Sequence, residues 1–135
     1  MNELLHDKNI PLKTPPQRKI LPINQKFIEA YKLWDQYRKN FPKSSRFTLG
    51  TKIDDYFLNI LELIFLASIL TKEEKLPYLK KASTKLDLLK FLMQIAWELK
   101  ILENKKYIEL SEKLYEIGRM LGGWILSSKN PAIKK

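Results

Sequence analysis

Read as apolar and polar positions, the chain falls into four stretches that repeat at helical period. From Ile23 to about Asn40, and just past it, Phe27, Tyr31, Trp34, Tyr37 and Phe41 recur at steps of four, three, three and four, which places them on one helical face. Pro42 stops that helix, because proline lacks the amide donor and its ring meets the preceding turn. A polar turn of Lys43, Ser44 and Ser45 follows. It leads into a second helix with Ser45 or Thr48 as candidate caps and a first apolar stripe of Leu49, Ile53, Tyr56, Ile60, Ile64 and Ala67. The segment TKEEK breaks this helix. Thr71 and Glu74 there have capping-box spacing and Pro77 suits a first turn, so a third helix is predicted from about Pro77 to Leu102. After a short ENK turn, a fourth helix carries Tyr107, Leu110, Leu114, Ile117, Leu121 and Trp124. The connection at 103–105 is so short that helices three and four must be antiparallel neighbours. With no strand-like alternation and no repeat, the pattern predicts an all-α chain: an antiparallel up-down four-helix bundle over residues 23–129, followed by a basic tail at 130–135.

Helix three carries two apolar stripes. Leu79, Ala82, Leu86, Leu89, Met93 and Ala96 make one, facing the core; Leu88, Leu92, Ile95 and Leu99, joined by Phe91, make the other. The polar residues between Leu86 and Leu99 are Asp87, Lys90, Gln94 and Glu98, and they lie along one narrow line. A solitary bundle hides one stripe per helix. Leaving the second in water would forgo roughly 1.5–3 kcal/mol per large side chain, and a patch of that size on a monomer marks an interface. Helix two, apolar nearly all round from Phe57 to Leu70, makes the same demand. A homo-oligomer is therefore expected, with Leu88, Phe91, Leu92, Ile95 and Leu99 at the contact; the alternative is lopsided packing inside one subunit. Gly118 and Gly122 share a face of helix four and predict close approach of a neighbouring helix, or else the helix ends at Gly122–Gly123, and in either case Trp124 packs over the gap. The run from Phe57 to Leu70, interrupted by Asn59, Glu62 and Ser68, is shorter than the roughly 20 residues a membrane span needs.

Composition narrows the class. At 135 residues the chain has room for one domain and one core, and 44% hydrophobic with 30% charged residues is too apolar for intrinsic disorder. Lys and Arg number 25 against 15 Asp and Glu, a formal charge of +10, so polyanions are the expected partners: nucleic acid first, an anionic membrane surface second. The absence of cysteine excludes disulfides and thiolate metal sites and fits a reducing cytoplasm. The opening MNELLHDKNIPLK reads as no secretion signal, so a cytoplasmic protein is expected. Residues 1–22 hold Pro11, Pro15, Pro16 and Pro22 and predict an extended, basic, proline-rich arm. Ile20, Leu21 and Ile23 at its end either dock on the domain or a neighbouring subunit, or belong to an undocked tail.

Chemistry has few carriers. His6 is the only histidine, so no zinc site and no histidine-based acid or nucleophile pair can be assembled. Asp54–Asp55 evoke a magnesium site, but acids in a first turn more often complement the helix dipole. Gly50 stands alone, which excludes a glycine-rich phosphate loop. No catalytic residue, metal or cofactor is therefore expected. The cations cluster better: Arg38, Lys39, Lys43, Arg46 and Lys52 surround the first turn without an intervening acid, and Lys75, Lys80, Lys81 and Lys85 crowd the predicted start of helix three, where they would oppose its dipole. A run of lysines is also what an ordinary solvated face looks like. Lys90 differs, lying on the narrow polar line between two apolar stripes. The aromatic stripe of helix one has the chemistry to stack bases, although its spacing matches a core seam better.

Two segments carry a resemblance. FPKSSRFTLGTKID at 41–54 and IGRMLGGWI at 117–125 resemble the signature segments of the accessory variability determinant family, small helical partners of the reverse transcriptases of diversity-generating retroelements. KASTKLDLLKFL at 81–92 and the spacing of the four helices fit as well, over roughly residues 25–128. The neighbouring family, four-helix proteins encoded in 23S ribosomal RNA intervening sequences, is similar at Phe41, Pro42, Lys43, Arg46, Phe47 and Leu49, but typically continues into a small-residue segment where this chain has LELIFLASIL. The first resemblance implies a homopentameric barrel that binds a reverse transcriptase and its template RNA, with DNA a further possible ligand, and supports mutagenic complementary-DNA synthesis. It also implies a role for basic positions on helix three; Lys90 matches one, while the next is Gln94 here. The second implies a structural or ribosome-associated protein.

Overall fold

The computed structural model describes residues 20–129. Four long helices make up the domain: α1 (Pro22–Arg38), α2 (Thr51–Ser68), α3 (Lys72–Glu98) and α4 (Asn104–Lys129), with no strand among the described residues. Of the arm expected over residues 1–22, residues 1–19 lie outside them, as does the tail at 130–135, and Pro22 already belongs to α1. Around the bundle, α1 packs on α2, α2 on α3, α3 on α4, and α4 closes onto α1. Neighbours run antiparallel: Lys26 and Tyr37 of α1 meet Glu116 and Glu109 of α4, in descending order, as do Lys75, Lys90 and Trp97 of α3 with Trp124, Tyr115 and Tyr107.

Pro22 is the first residue of α1, where its missing amide would have had no helical partner. Phe27, Ala30 and Trp34 are fully buried, whereas Tyr31 and Tyr37 sit half-buried at the edges of the stripe. Core packing, not base stacking, therefore accounts for this stripe. Its counterpart on α2 is Phe57, whose ring stacks on Trp34 (5.9 Å between centroids) and meets Phe27 at 5.5 Å and Tyr31 edge-on at 5.7 Å. Tyr56 of the expected stripe packs half-buried against the core, but the fully buried residue is Phe57, which that stripe lacks. Phe57 takes the central position because it is four residues beyond buried Ile53, while Tyr56 faces the α2–α3 seam.

The approach to α2 also departs from expectation. Helical backbone begins directly after Pro42, with one α turn at Lys43–Ser45 and a π turn at Arg46–Gly50. Neither Ser45 nor Thr48 caps an amide. Because the chain is already helical, the Thr48 hydroxyl donates backwards to the Ser44 carbonyl at 3.1 Å, and Thr51 does the same to Arg46 at 3.1 Å. Gly50 is buried where a Cβ would lie 3.3 Å from the Ser45 carbonyl oxygen.

The capping box at Thr71 and Glu74 forms, with both reciprocal bonds at 3.3 Å, so α3 starts at Lys72 and not at Pro77. Pro77 sits inside the helix on an exposed edge, where water can serve the Glu73 carbonyl that loses its donor. The helix ends at Glu98, short of Leu102. Lys100 takes a positive φ of 62°, its amide bonds the Trp97 carbonyl and that of Ile101 bonds Ala96, the arrangement that closes a helix through a left-handed residue. Leu102 turns inward as a buried plug after the turn.

The inner stripe of α3 is as expected: Leu79, Ala82, Leu86, Leu89, Met93 and Ala96 are all buried. Of the outer stripe, Leu88, Phe91 and Leu99 are exposed, Phe91 at 57% and Leu99 at 61%, while Leu92 and Ile95 are half-buried. On α4, Leu110, Leu114, Ile117 and Leu121 are buried and the helix runs on through Gly122–Gly123. Only the first of the paired glycines marks a close approach. A Cβ on Gly118 would lie 3.3 Å from the Lys90 ammonium and 3.5 Å from Leu86, whereas Gly122 has nothing within 4 Å. Among the described residues, no helix is long and apolar enough to cross a membrane.

Candidate nucleic-acid interface

Asp35 of α1 and Asp54, Glu109 and Glu116 of its partner helices are tied into the fold. The Asp54 carboxylate accepts hydrogen bonds from the Tyr31 hydroxyl at 2.9 Å and the Trp34 indole at 3.1 Å, and the Arg38 guanidinium stands 4.0 Å away. Asp54 thus locks α1 to α2. Burial, then the bond to Asp54, raises the Tyr31 pKa. Tyr37 donates to Glu109 at 2.5 Å, and burial followed by that bond pushes its pKa up to about 12.

The nine candidate cations do not form one patch. Arg38 and Lys39 both reach Asp35, at 2.9 and 3.9 Å, and the hydrogen bond to Asp35 is the chief cause of a raised Arg38 pKa. These two serve the α1 surface first. Lys43 and Arg46 stand at the turn beside Phe47, which is 69% exposed, and Arg46 donates to the Phe41 carbonyl at 3.3 Å. Lys52 and Lys85 come together from different helices: their ammoniums lie 5.8 and 5.4 Å from the Tyr56 ring centre, at the mouth of a cleft of about 220 Å³ that Asp55 and Asn59 also line. Lys80 and Lys81 are exposed on the first half of α3. They and Lys85 lie well inside the helix and do not oppose its dipole, because the first turn carries Glu73 and Glu74. Lys90 points the other way, into the α3–α4 seam, 5.5 Å from the Tyr115 ring centre. Among the described residues, Lys43, Arg46, Lys52, Lys80, Lys81, Lys85 and Lys90 form no ion pair with a carboxylate.

An ammonium over an aromatic ring gains about 0.5–1 kcal/mol at an exposed site. That is a weak hold, and an arriving phosphate can replace it, releasing counterions as it does so. The family model described as bAvd-like matches residues 19–128. The chain belongs to this family. No curated protein matches it. The bAvd-like match takes in α1, the π turn, α2, α3 and all of α4 but its last residue, and so every one of these cations.

Three participants in this bAvd-like bundle are hidden in the sequence. Tyr56 falls on an apolar stripe and Asp54 in a first turn, and nothing local reveals that Tyr31 and Trp34 will meet Asp54. Tyr115 left a signal: an aromatic off the apolar stripe of helix four, four residues before Arg119.

Proposed function

We propose that the protein is a non-enzymatic, nucleic-acid-binding accessory subunit of a diversity-generating retroelement, associating with its reverse transcriptase and template RNA and supporting mutagenic complementary-DNA synthesis in the cytoplasm. Membership of the bAvd-like family over residues 19–128 is the observation that carries this reading. The cations without a carboxylate partner give it a physical route: Lys43, Arg46, Lys52, Lys80, Lys81 and Lys85 offer separated phosphate contacts, suited to a long polyanion and not to a compact anion. Self-assembly is part of the proposal. Leu88, Phe91, Leu92, Ile95 and Leu99 supply the contact, and a closed ring of copies, a pentameric barrel, would cover the outer stripe of every subunit.

Co-expression with the reverse transcriptase and template RNA of such an element tests the proposal. The expected result is one complex containing all three, with RNA affinity falling as salt rises at a log–log slope of about −0.7 per phosphate neutralised. Elution of the protein alone, together with RNA binding that is flat in salt, overturns it. Co-purification with ribosomal RNA in place of the polymerase would favour the structural, ribosome-associated reading, which the turn from Phe41 to Leu49 supports. Leu92→Asp should reduce the light-scattering mass to that of one chain while helical content is retained; a wild type that is already monomeric overturns the assembly.

A further inference from the structure

Tyr115 is 65% exposed, on the outer arc of α4, and does not belong to the core. Two cations flank its ring: the Lys90 ammonium from α3 at 5.5 Å and the Arg119 guanidinium, one turn further along α4, at 6.0 Å. Beside it opens a cleft of about 350 Å³ between α3 and α4, bordered by Phe91, Gln94, Ser111 and Asp87. Gly118 gives the arrangement its shape. A glycine inside a helix is less favourable than alanine, and here it leaves the notch in which Lys90 lies, since a Cβ would stand 3.3 Å from the ammonium.

We infer that Tyr115 is a stacking platform for one unpaired base of a single-stranded nucleic acid, with Lys90 and Arg119 holding the phosphates on either side. The inference rests on the proposed nucleic-acid binding and names the form of ligand that this seam takes. Lys90 and Arg119 rest over the exposed ring, a weak hold that a base can displace as the two cations move to its phosphates; an aromatic ring with long cations beside it is the arrangement by which single strands are held without regard to sequence. The Gln94 amide nitrogen donates to Glu98 at 3.0 Å, which leaves its carbonyl oxygen, together with the Ser111 hydroxyl, to meet a base edge; an apolar protein surface laid over the cleft would offer these two groups nothing in return. The interior of a duplex does not fit the demand, since its paired bases keep both faces stacked on one another. Asp87 keeps the cleft from being a general anion trap, so the base is what gives the site its selectivity.

The test measures fluorescence anisotropy of the full chain with labelled oligothymidylate and with an abasic phosphodiester strand of equal length, at equal salt. Wild type should bind the base-bearing strand about tenfold tighter. Tyr115→Ala should erase that gap and leave the abasic affinity and its salt slope unchanged; Tyr115→Phe should keep it, and Gly118→Ala, by shifting the Lys90 ammonium that holds a phosphate, should weaken both strands alike and leave the gap in place. Equal affinity of wild type for both strands overturns the platform while phosphate binding stands. A gap that survives Tyr115→Ala also overturns it, placing stacking elsewhere. If neither strand binds, the nucleic-acid reading itself falls. A changed light-scattering mass for Tyr115→Ala would make the residue a protein contact and likewise sink the inference.

Discussion

The seams on either side of α1 and those on either side of α3 are closed by different chemistry. At α1, carboxylates receive most of the bonds, Asp54 from Tyr31 and Trp34, Glu109 from Tyr37, Glu116 from Lys26 at 3.3 Å, with Lys106 over the Tyr37 ring at 5.2 Å beside them. At α3, lysines approach rings: Lys85 and Lys52 at Tyr56, Lys90 at Tyr115, Lys75 at Trp124 at 5.1 Å. A bonded carboxylate is committed, because removing it strands its donors, whereas an ammonium resting on a ring leaves nothing unsatisfied when it departs. Total charge therefore says little about which cations are available. Their local partners say much more.

The contrast can be broken at several points. Asp54→Ala leaves two partly buried donors without their acceptor and should lower unfolding stability by about 2–3 kcal/mol, with RNA affinity unchanged; a loss under 0.5 kcal/mol in urea titration would mean the α1 seam does not depend on it. The double change Lys52→Ala with Lys85→Ala should act oppositely. Stability stays within about 1 kcal/mol, while RNA affinity drops roughly tenfold and the salt slope flattens by about 1.4. An unchanged slope removes the α2–α3 cleft from the interface.

Tyr37 sharpens the same comparison through pH. Its pKa is raised in the folded chain to about 12 from an unfolded value of 10.0, so the neutral form is favoured on folding. The contribution is fully present below pH 10 and is lost as pH rises toward 12. Tyr37→Phe should flatten that part of the stability profile, and an identical decline in the variant would assign it to other groups. The smallest effect is expected at Lys100→Gly. Relieving a non-glycine residue at positive φ should add up to about 1 kcal/mol, whereas a loss would show that the lysine side chain is itself needed at the turn.

Much of the bundle was legible because burial follows period. The inner stripe of α3 and the stripe of α4 were read residue by residue, and the outer stripe of α3 was correctly separated from the inner. Boundaries failed where two local signals competed. At the start of α3 the proline outweighed a capping box that already marked Lys72, and at its end no glycine announced the left-handed turn at Lys100. Gly122 shows the limit of spacing arguments, since it shares a face with Gly118 yet meets nothing in the subunit. The candidate site was less legible than the core. Whether a lysine ends beside an acid or a ring depends on which helix becomes its neighbour, and single-chain periodicity carries no such information. Lys85 meeting Lys52, and Lys90 meeting Tyr115, are facts of topology.

The π turn at Arg46–Gly50 has one more consequence. A wider coil holds an additional residue per revolution, so everything before Gly50 is rotated relative to the body of α2 compared with an uninterrupted α-helix. Within that wider coil Phe47 stands out to solvent, while Phe41, ahead of it in the turn, lies inward as a lid on Trp34. Excising a single residue there would restore the ordinary winding and spin the cationic corner around the bundle axis, altering its compass bearing without altering its composition.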